Sequence, residues 1–479
     1  MNDALLQLYH RLPPAARSVA ASMRGLYLRG WRYGAETDRL VEEAHEREYW
    51  SPERWRAWRE ERLAYVLHRA ATRVPYYREY WMAHRRKGGR ASWELLKNWP
   101  ILEKEPLRAT PLAFVADDCD VRRMYHEHTS GSSGTWLSLW WSRSTVRAWY
   151  ALFEQRWRRW YGVSRHDRWA ILGGQSVVPL RQRTPPYWVW NAPLNQLYIS
   201  CFHLVPESVP ACLEALERYR IVYLLGYTSS LHALAQGALS SKSNGLRPLV
   251  AITNAEAVFD HQRAAIRKAF ACPVRETYGM AEIVAAASEC DSGSLHLWPE
   301  VGWIEAQERG EPVESGCVGD LICTGLFNAD MPLVRYRVGD RGALSTPSES
   351  CECGRTLPIM ASLEGRVDDV VYTADGRQLG CLDPVTDTDA QVREAQIIQE
   401  AIGVIRVRYV PAPGFLPEHR RAMAERLKAL LGPVTVGLEE VDAIPRTSNG
   451  KFRGVISELS AEERKLLAAR TTSSPIVGA

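Results

Sequence analysis

The spacing of apolar positions divides the chain into three stretches. Through residues 1–120 they recur at helical intervals between Arg and Glu, as in EREYWSPERWRAWREERLAYVLHRAATRV, and this predicts a mainly helical region. The helix stops at PYY, and NWPILEKEPLRAT reads as a Pro-punctuated linker. From about 121 to 365 short apolar runs alternate with amphipathic segments. RWAILGG, YLLGY, PLVAITNAE, CPVRETYG and GDLICTG predict buried strands, with SLHALAQGAL and FDHQRAAIRKAF as helices between some of them. That alternation predicts an α/β core with a partly parallel sheet. After LEGRVDD (363–369) the pattern changes again. A helix at EHRRAMAERLKALL and a Pro/Gly-rich loop, PRTSNGKFRG, predict a small second α/β domain over 366–479, ending in a frayed tail.

Length and composition sharpen this picture. A chain of 479 residues exceeds one ordinary core, and 46% hydrophobic with 24% charged residues is globular composition. A net charge of +4 without a repeated basic-aromatic pattern excludes nucleic acid as the expected partner. The 18 tryptophans are scattered, several beside Arg on helical faces, and read as packing residues. No apolar run is long enough to span a bilayer, and the N-terminal segment has no signal-peptide core. That segment mixes Arg with Leu, Tyr and Met; it reads as a docked helix, with a helix lying on a membrane surface as the alternative. Ten cysteines, mostly isolated in apolar text, read as reduced thiols of a cytoplasmic protein, peripheral to the membrane in that alternative.

Four short motifs interrupt the structural pattern. TSGSSGT (Thr129 to Thr135) is small and polar between apolar walls, which suits a loop whose N–H and O–H groups wrap anionic oxygens. It lacks the Lys of a P-loop, since Trp136 follows Gly134 and Thr135. In RETYGMAEI, Tyr278 ends an apparent strand where it could stack on a planar base, and Glu282 follows as a candidate magnesium ligand. PLVRYRVGDRG places Asp340 in a Gly-flanked turn suited to accepting two ribose hydroxyl protons, and PRTSNGKFRG presents Lys451. Each motif alone is equally a turn, a cap or a solvated lysine. Their order and spread together carry more.

In that order the motifs resemble the adenylate-forming superfamily, and within it the phenylacetate-CoA ligase-like branch that includes the CapK-like members. VPYYRE, WPILEKEPLR, LLGYTSSLHALA and ITNAEAVFDHQR share the resemblance. It implies a large N-terminal adenylate-forming domain with mixed sheets and helices, and a small mobile C-terminal lid. It also implies a reaction: ATP and Mg²⁺ convert a carboxylic acid to an acyl-adenylate, and a nucleophile, commonly CoA, displaces AMP. Carried over by motif, Thr129, Ser130, Gly131, Ser132, Ser133, Gly134 and Thr135 form the phosphate loop. Asn254, Ala255 and Glu256 lie against adenine, with Tyr278 on its ring and Asp340 on the ribose. Glu282 holds magnesium, Arg366 faces a phosphate, Asp368 is the hinge and Lys451 the catalytic lysine of adenylation. Two departures stand out: the phosphate loop has no lysine after its last glycine, and Ala281 replaces a threonine common before the glutamate.

Four residues stand outside those motifs. Cys290-x5-His296 and Cys351-x-Cys353 offer three thiolates and an imidazole, the donor set of a closed structural zinc site. The Ser/Gly/Glu-rich text around them is a poor place to bury idle cysteines; four unrelated reduced residues are the alternative. His126 and His128, before the phosphate loop, read as one packed residue and one supporting donor. The expected function is an AMP-forming ligase acting on an aryl or small acyl acid with CoA as acceptor. The alternatives are adenylation followed by transfer to an amine or hydroxyl in polysaccharide or natural-product biosynthesis, and a non-catalytic nucleotide-binding scaffold.

Overall fold

The computed structural model describes residues 3–129, 137–205, 207–240, 245–256, 258, 260–308, 310–346, 351–363, 371–374, 378–379, 392–411, 414–442, 444, 455–460, 462–463 and 467. Residues 3–86 are almost entirely helical, and Lys104–Ala109 adds a further short helix. Helices α1 (Asp3–Arg11) and α2 (Pro14–Arg32) come first, and the strongest of those that follow spans Pro52–Arg73. Ser51 caps it by accepting from Arg54 N, Pro52 occupies the first turn, and Pro75 forces Val74 out of the helix. Its buried face, Val66, Leu67, Ala70 and Ala71, repeats at helical spacing. Arginines on the other face strap it to the body: Arg62 Nε donates to Leu326 O at 2.7 Å and Arg69 pairs with Asp330 at 2.8 Å.

The core is one long sheet of 13 strands with two halves of different grammar. Strands Gln196–Ser200, Trp169–Gly173, Tyr223–Tyr227, Val250–Asn254 and Val274–Gly279 run parallel in that spatial order. The three central strands are apolar on both faces because helices cover them, whereas Val274–Gly279 carries Arg275 and Glu276; Thr228–Ser240 and Asp260–Phe270 are the two helices that the pattern predicts. From Ala286–Glu289 onward every pairing is antiparallel, through Leu295–Leu297, Ile359–Leu363, Tyr336–Leu344, Gly319–Gly325 and Gly302–Glu308. In the parallel half, strand 169–173 has strand 196–200 on one side and strand 223–227 on the other, so the winding reverses there. Ligands in such sheets lie beyond the carboxyl ends of the strands at the reversal.

Two expectations need correcting. NWPILEKEPLRAT is not a free linker: Leu102 bridges Tyr336 in the sheet, and Lys104–Ala109 is helical. Asp340 does not sit in a turn but inside strand Tyr336–Leu344, which is irregular opposite Asp320–Ile322, with Gly339 at φ +91°. A bulge there re-aims the side chain as a turn would.

A separate four-stranded sheet follows, in the spatial order Thr435–Glu440, Val404–Pro411, Val392–Ala401, Val455–Ser457. Helix Pro417–Leu431 covers it with Met423, Leu427, Leu430 and Leu431. Cys201 and Phe202 from the large sheet's region join that small core. Together these give the mixed α/β architecture with a small C-terminal unit. The proposed hinge at Asp368, with Arg366, lies outside the described residues, as do Ser130 to Thr135 and Lys451.

Candidate active site

Two hydrogen bonds tie in three of the described candidates. Tyr278 is buried near the carboxyl end of strand Val274–Gly279, and its hydroxyl donates to Asp340 Oδ2 at 2.9 Å. The residue expected on the base and the residue expected on the ribose are thus joined, which fixes the tyrosine ring in plane and tilt. Four residues before Asp340, the fully buried Tyr336 donates its hydroxyl to Glu282 Oε1 at 2.9 Å. Sequence reading quoted Tyr336 in its motif but gave it no role; its place on the same strand as Asp340 was the available signal.

Asn254 ends the neighbouring strand, Val250–Asn254, whose Thr253 pairs with Glu276. Its side-chain Oδ1 is buried and has no hydrogen-bond partner among the described residues. A buried orphan acceptor costs roughly 1–3 kcal/mol unless a ligand donates to it, and an adenine amino group is such a donor. Ala255 follows at φ +64° and is exposed, while the Glu256 carbonyl accepts from Thr228 Oγ1 at 3.3 Å. Thr129 plays a local part: its hydroxyl accepts from Leu137 N at 2.8 Å, closing the base of the predicted phosphate loop.

Backbone strain marks the same places. Six non-glycine residues have positive φ, and three of them adjoin the cluster: Ala255 after Asn254, Ile283 after Glu282, Arg335 before Tyr336. For β-branched Ile283, buried at φ +46°, the left-handed region is a genuine outlier. Each such residue costs on the order of 1–3 kcal/mol and persists because its surroundings hold it. Gly302 is part of that support, since a Cβ there would overlap the Val284 carbonyl oxygen two residues beyond Glu282. Gly302→Ala is expected to lower stability by roughly 3 kcal/mol, read as a reduced urea midpoint; an unchanged midpoint contradicts the close packing.

The electrostatics are acidic. Burial pushes the Cys323 thiol up, and the charges of Asp340, Glu305 and Glu282 push it further. Glu305 is neutralised by Arg335 at 3.1 Å, whereas Glu282 makes no ion pair among the described residues. One glutamate oxygen held by a phenol with no cation beside it is a donor set that fits a hard divalent ion. His126 and His128 lie at the surface rather than in the core. Both are exposed on one face of strand Tyr125–His128, their rings 4.2 Å apart, with His126 stacked on Trp140.

The second cluster is the cysteine set. The donor atoms of Cys290, His296, Cys351 and Cys353 all lie within 4.8 Å of one another. Cys290 Sγ is 3.6 Å from Cys351 Sγ, and Cys353 Sγ is 3.3 Å from His296 Nε2. A tetrahedral zinc site needs sulfur–sulfur edges of about 3.8 Å, so the donors already stand at ligand spacing. His296 Nδ1 lies 3.0 Å from Leu357 O, which leaves Nε2 facing the sulfurs. Burial pushes the Cys353 thiol up to about 11 and raises Cys290. For Cys351 burial acts the same way, but hydrogen bonds from Ser294 and Cys353 bring it down to about 6. A tight turn with Gly293 at φ +84° brings Cys290 back toward His296. Behind the cluster, fully buried Glu48 accepts from Trp160 at 2.8 Å and from Arg355 at 3.2 Å.

Comparison with known proteins agrees with this geometry. The CapK C-terminal domain family matches residues 375–458. Protein CapK of Staphylococcus aureus is 28% identical over 317 residues, covering 62% of this chain and 67% of that protein. The phenylacetate-coenzyme A ligase of Thermus thermophilus is 28% identical over 213 residues, and the chain spans about half (47%) of its length. In structure, 2-hydroxyisobutyryl-CoA ligase in complex with 2-HIB-AMP and CoA superposes with a TM-score of 0.56. That likeness is at 18% identity and covers 89% of this chain and 94% of that one. The chain therefore has the fold of the adenylate-forming ligases, carries a segment that matches the CapK C-terminal domain, and is similar in sequence to CapK and the phenylacetate-CoA ligases.

Proposed function

We propose that the protein is an ATP-dependent, AMP-forming ligase that activates an aryl or small acyl carboxylic acid and transfers it to CoA. The observation that carries this reading is the linked set Tyr278–Asp340 and Tyr336–Glu282 beside the orphan acceptor of Asn254. Asn254 and Tyr278 lie at the carboxyl ends of neighbouring parallel strands, the side of such a sheet on which ligands bind. Tyr278 and Asn254 hold adenine, Asp340 holds the ribose hydroxyls, and Glu282 holds magnesium, which supplies positive charge to the phosphates when bound. The acid's carboxylate oxygen attacks the α-phosphorus, the bond to the β-phosphate breaks, and pyrophosphate leaves. Lys451 bridges the two anionic reactants, whose mutual repulsion is the main obstacle. A thiolate then attacks the acyl carbon and AMP departs with the oxygen. Arg366 faces a phosphate, and Asp368 is the hinge about which residues 366–479 turn to exchange Lys451 for the acceptor.

Identification of the acylated product by mass after incubation with ATP, Mg²⁺ and a panel of acids tests the acceptor. An acyl-CoA and CoA-dependent multiple turnover support the reading; turnover indifferent to CoA points to an amine or hydroxyl. That second reading is favoured by the missing loop lysine, Ala281 and the CapK-type C-terminal domain. A scaffold without catalysis gains nothing from the strain held around Glu282.

Cys290, His296, Cys351 and Cys353 fit a structural zinc ion that staples the 290–296 hairpin to the 351–357 loop, with no open position for catalysis. Natively purified protein is expected to contain about one zinc per chain, and Cys351→Ser to lose most of it. Metal analysis finding none in the parent protein contradicts the assignment. The nine described cysteines form no disulfide with one another, which is compatible with a reducing, cytoplasmic setting. No helix among the described residues is long and apolar enough to cross a membrane.

A further inference from the structure

Helix α2 has two faces of different character. Ser18, Ser22 and Gly25 lie against strand Trp188–Asn191: Ser22 Oγ donates to Trp190 O at 3.3 Å, Ser18 Oγ accepts from Trp190 N at 3.2 Å, and Gly25 abuts Asn191. The face next to it, one residue further round the helix, is apolar and exposed. Val19, Met23, Leu26 and Tyr27 fall on one stripe at helical spacing and are 60%, 68%, 61% and 54% exposed. Leu5 and Leu8 of α1 are exposed to the same degree. These six make up a large share of the 15 exposed large hydrophobics among the described residues, within only 30 positions of the chain. Scattered exposed apolar residues need no explanation, but a concentrated stripe does.

Charge identifies the occupant. By helical spacing Arg24 borders the stripe on one side, and Arg29, one turn beyond Gly25 on the Ser18–Ser22–Gly25 line, borders it on the other; both are exposed. Residues 4–35 contain Arg11, Arg17, Arg24, Arg29 and Arg32 and no Asp or Glu. Arginines at both edges can keep their stems on apolar material while their guanidiniums reach anionic groups. A second copy of α2 seated on the stripe would set arginine against arginine. A flat surface with an apolar interior and anionic headgroups satisfies both the stripe and its flanks.

We propose that the α1–α2 face docks the protein on an anionic phospholipid surface, lying in the interface plane with Val19, Met23, Leu26 and Tyr27 inserted and Arg24 and Arg29 on lipid phosphates. The anchored segment is held to the body by the Ser18–Ser22–Gly25 contacts, so docking places the large domain beside the membrane without a spanning helix. This reading is independent of the ligase chemistry, because none of these residues belongs to the site described above.

Co-sedimentation of the full chain with vesicles tests it. Binding is expected to vesicles containing phosphatidylglycerol, to fall with added salt, and to be weak on phosphatidylcholine alone. Arg24→Glu with Arg29→Glu is expected to weaken it roughly 30-fold or more, and Met23→Ser with Leu26→Ser to abolish it, both with an unchanged circular-dichroism melting curve. Absence of binding to the anionic vesicles overturns the proposal, as does binding that both double variants leave intact. A dimer that the Met23→Ser, Leu26→Ser variant dissociates, in a protein that ignores vesicles, also overturns it and gives the face to a second copy.

Discussion

Lys451→Ala is expected to lower the turnover of acid-dependent pyrophosphate release roughly 10²- to 10³-fold, with a much smaller effect on ATP affinity. The reasoning is electrostatic. The carboxylate and the triphosphate are both anions, and the attack brings them together while charge moves onto the departing pyrophosphate. Acidic groups already crowd this region, with Asp340, Glu305 and Glu282 all felt by the buried Cys323 thiol. A cation that arrives on a separate loop acts mainly as the transition state forms, so its loss falls on kcat rather than on nucleotide binding. Steady-state kinetics with the preferred acid reads both parameters. Turnover unchanged in the variant removes Lys451 from the reaction.

Glu282→Gln carries the second large expected effect. The amide can still accept the Tyr336 hydroxyl through its oxygen, so the 2.9 Å contact and the strained Ile283 backbone survive. What is lost is the charge proposed to hold magnesium. The apparent Mg²⁺ requirement is expected to rise about tenfold or more, with kcat falling roughly 10²-fold, while the thermal midpoint stays near that of the parent. Titration of activity against Mg²⁺ at saturating ATP measures this. A variant with the parent's Mg²⁺ dependence shows that Glu282 is not the ligand.

Much of this was legible in the sequence, and the reasons differ by element. The buried strands WAILG, YLLGY and VAITN announce themselves because a strand covered on both faces is nearly continuous in apolar residues. The convergence of Cys290, His296, Cys351 and Cys353 was readable because idle thiols avoid such polar surroundings. Tyr336 was not readable as a positioning residue: a buried tyrosine looks like core until its hydroxyl partner is known. Nor was the bulge at Gly339–Asp340, because a GD pair serves a turn and an irregular strand equally well. The exposure of His126 and His128 depended on what covers a two-stranded ribbon, which is a tertiary fact. NWPILEKEPLRAT misled through its prolines, since an isolated bridge such as Leu102 to Tyr336 leaves no periodic trace.

The central claim is that this chain makes an acyl-adenylate, and adenylate formation is reversible before any acceptor is engaged. The direct measurement is exchange of labelled pyrophosphate into ATP, with Mg²⁺ and a panel of aryl and short-chain acids, in the absence of CoA. Label is predicted to enter ATP with at least one acid and to stay out when the acid is omitted. Acid-dependent ATP cleavage to ADP and orthophosphate, with no label exchanged, would contradict the account.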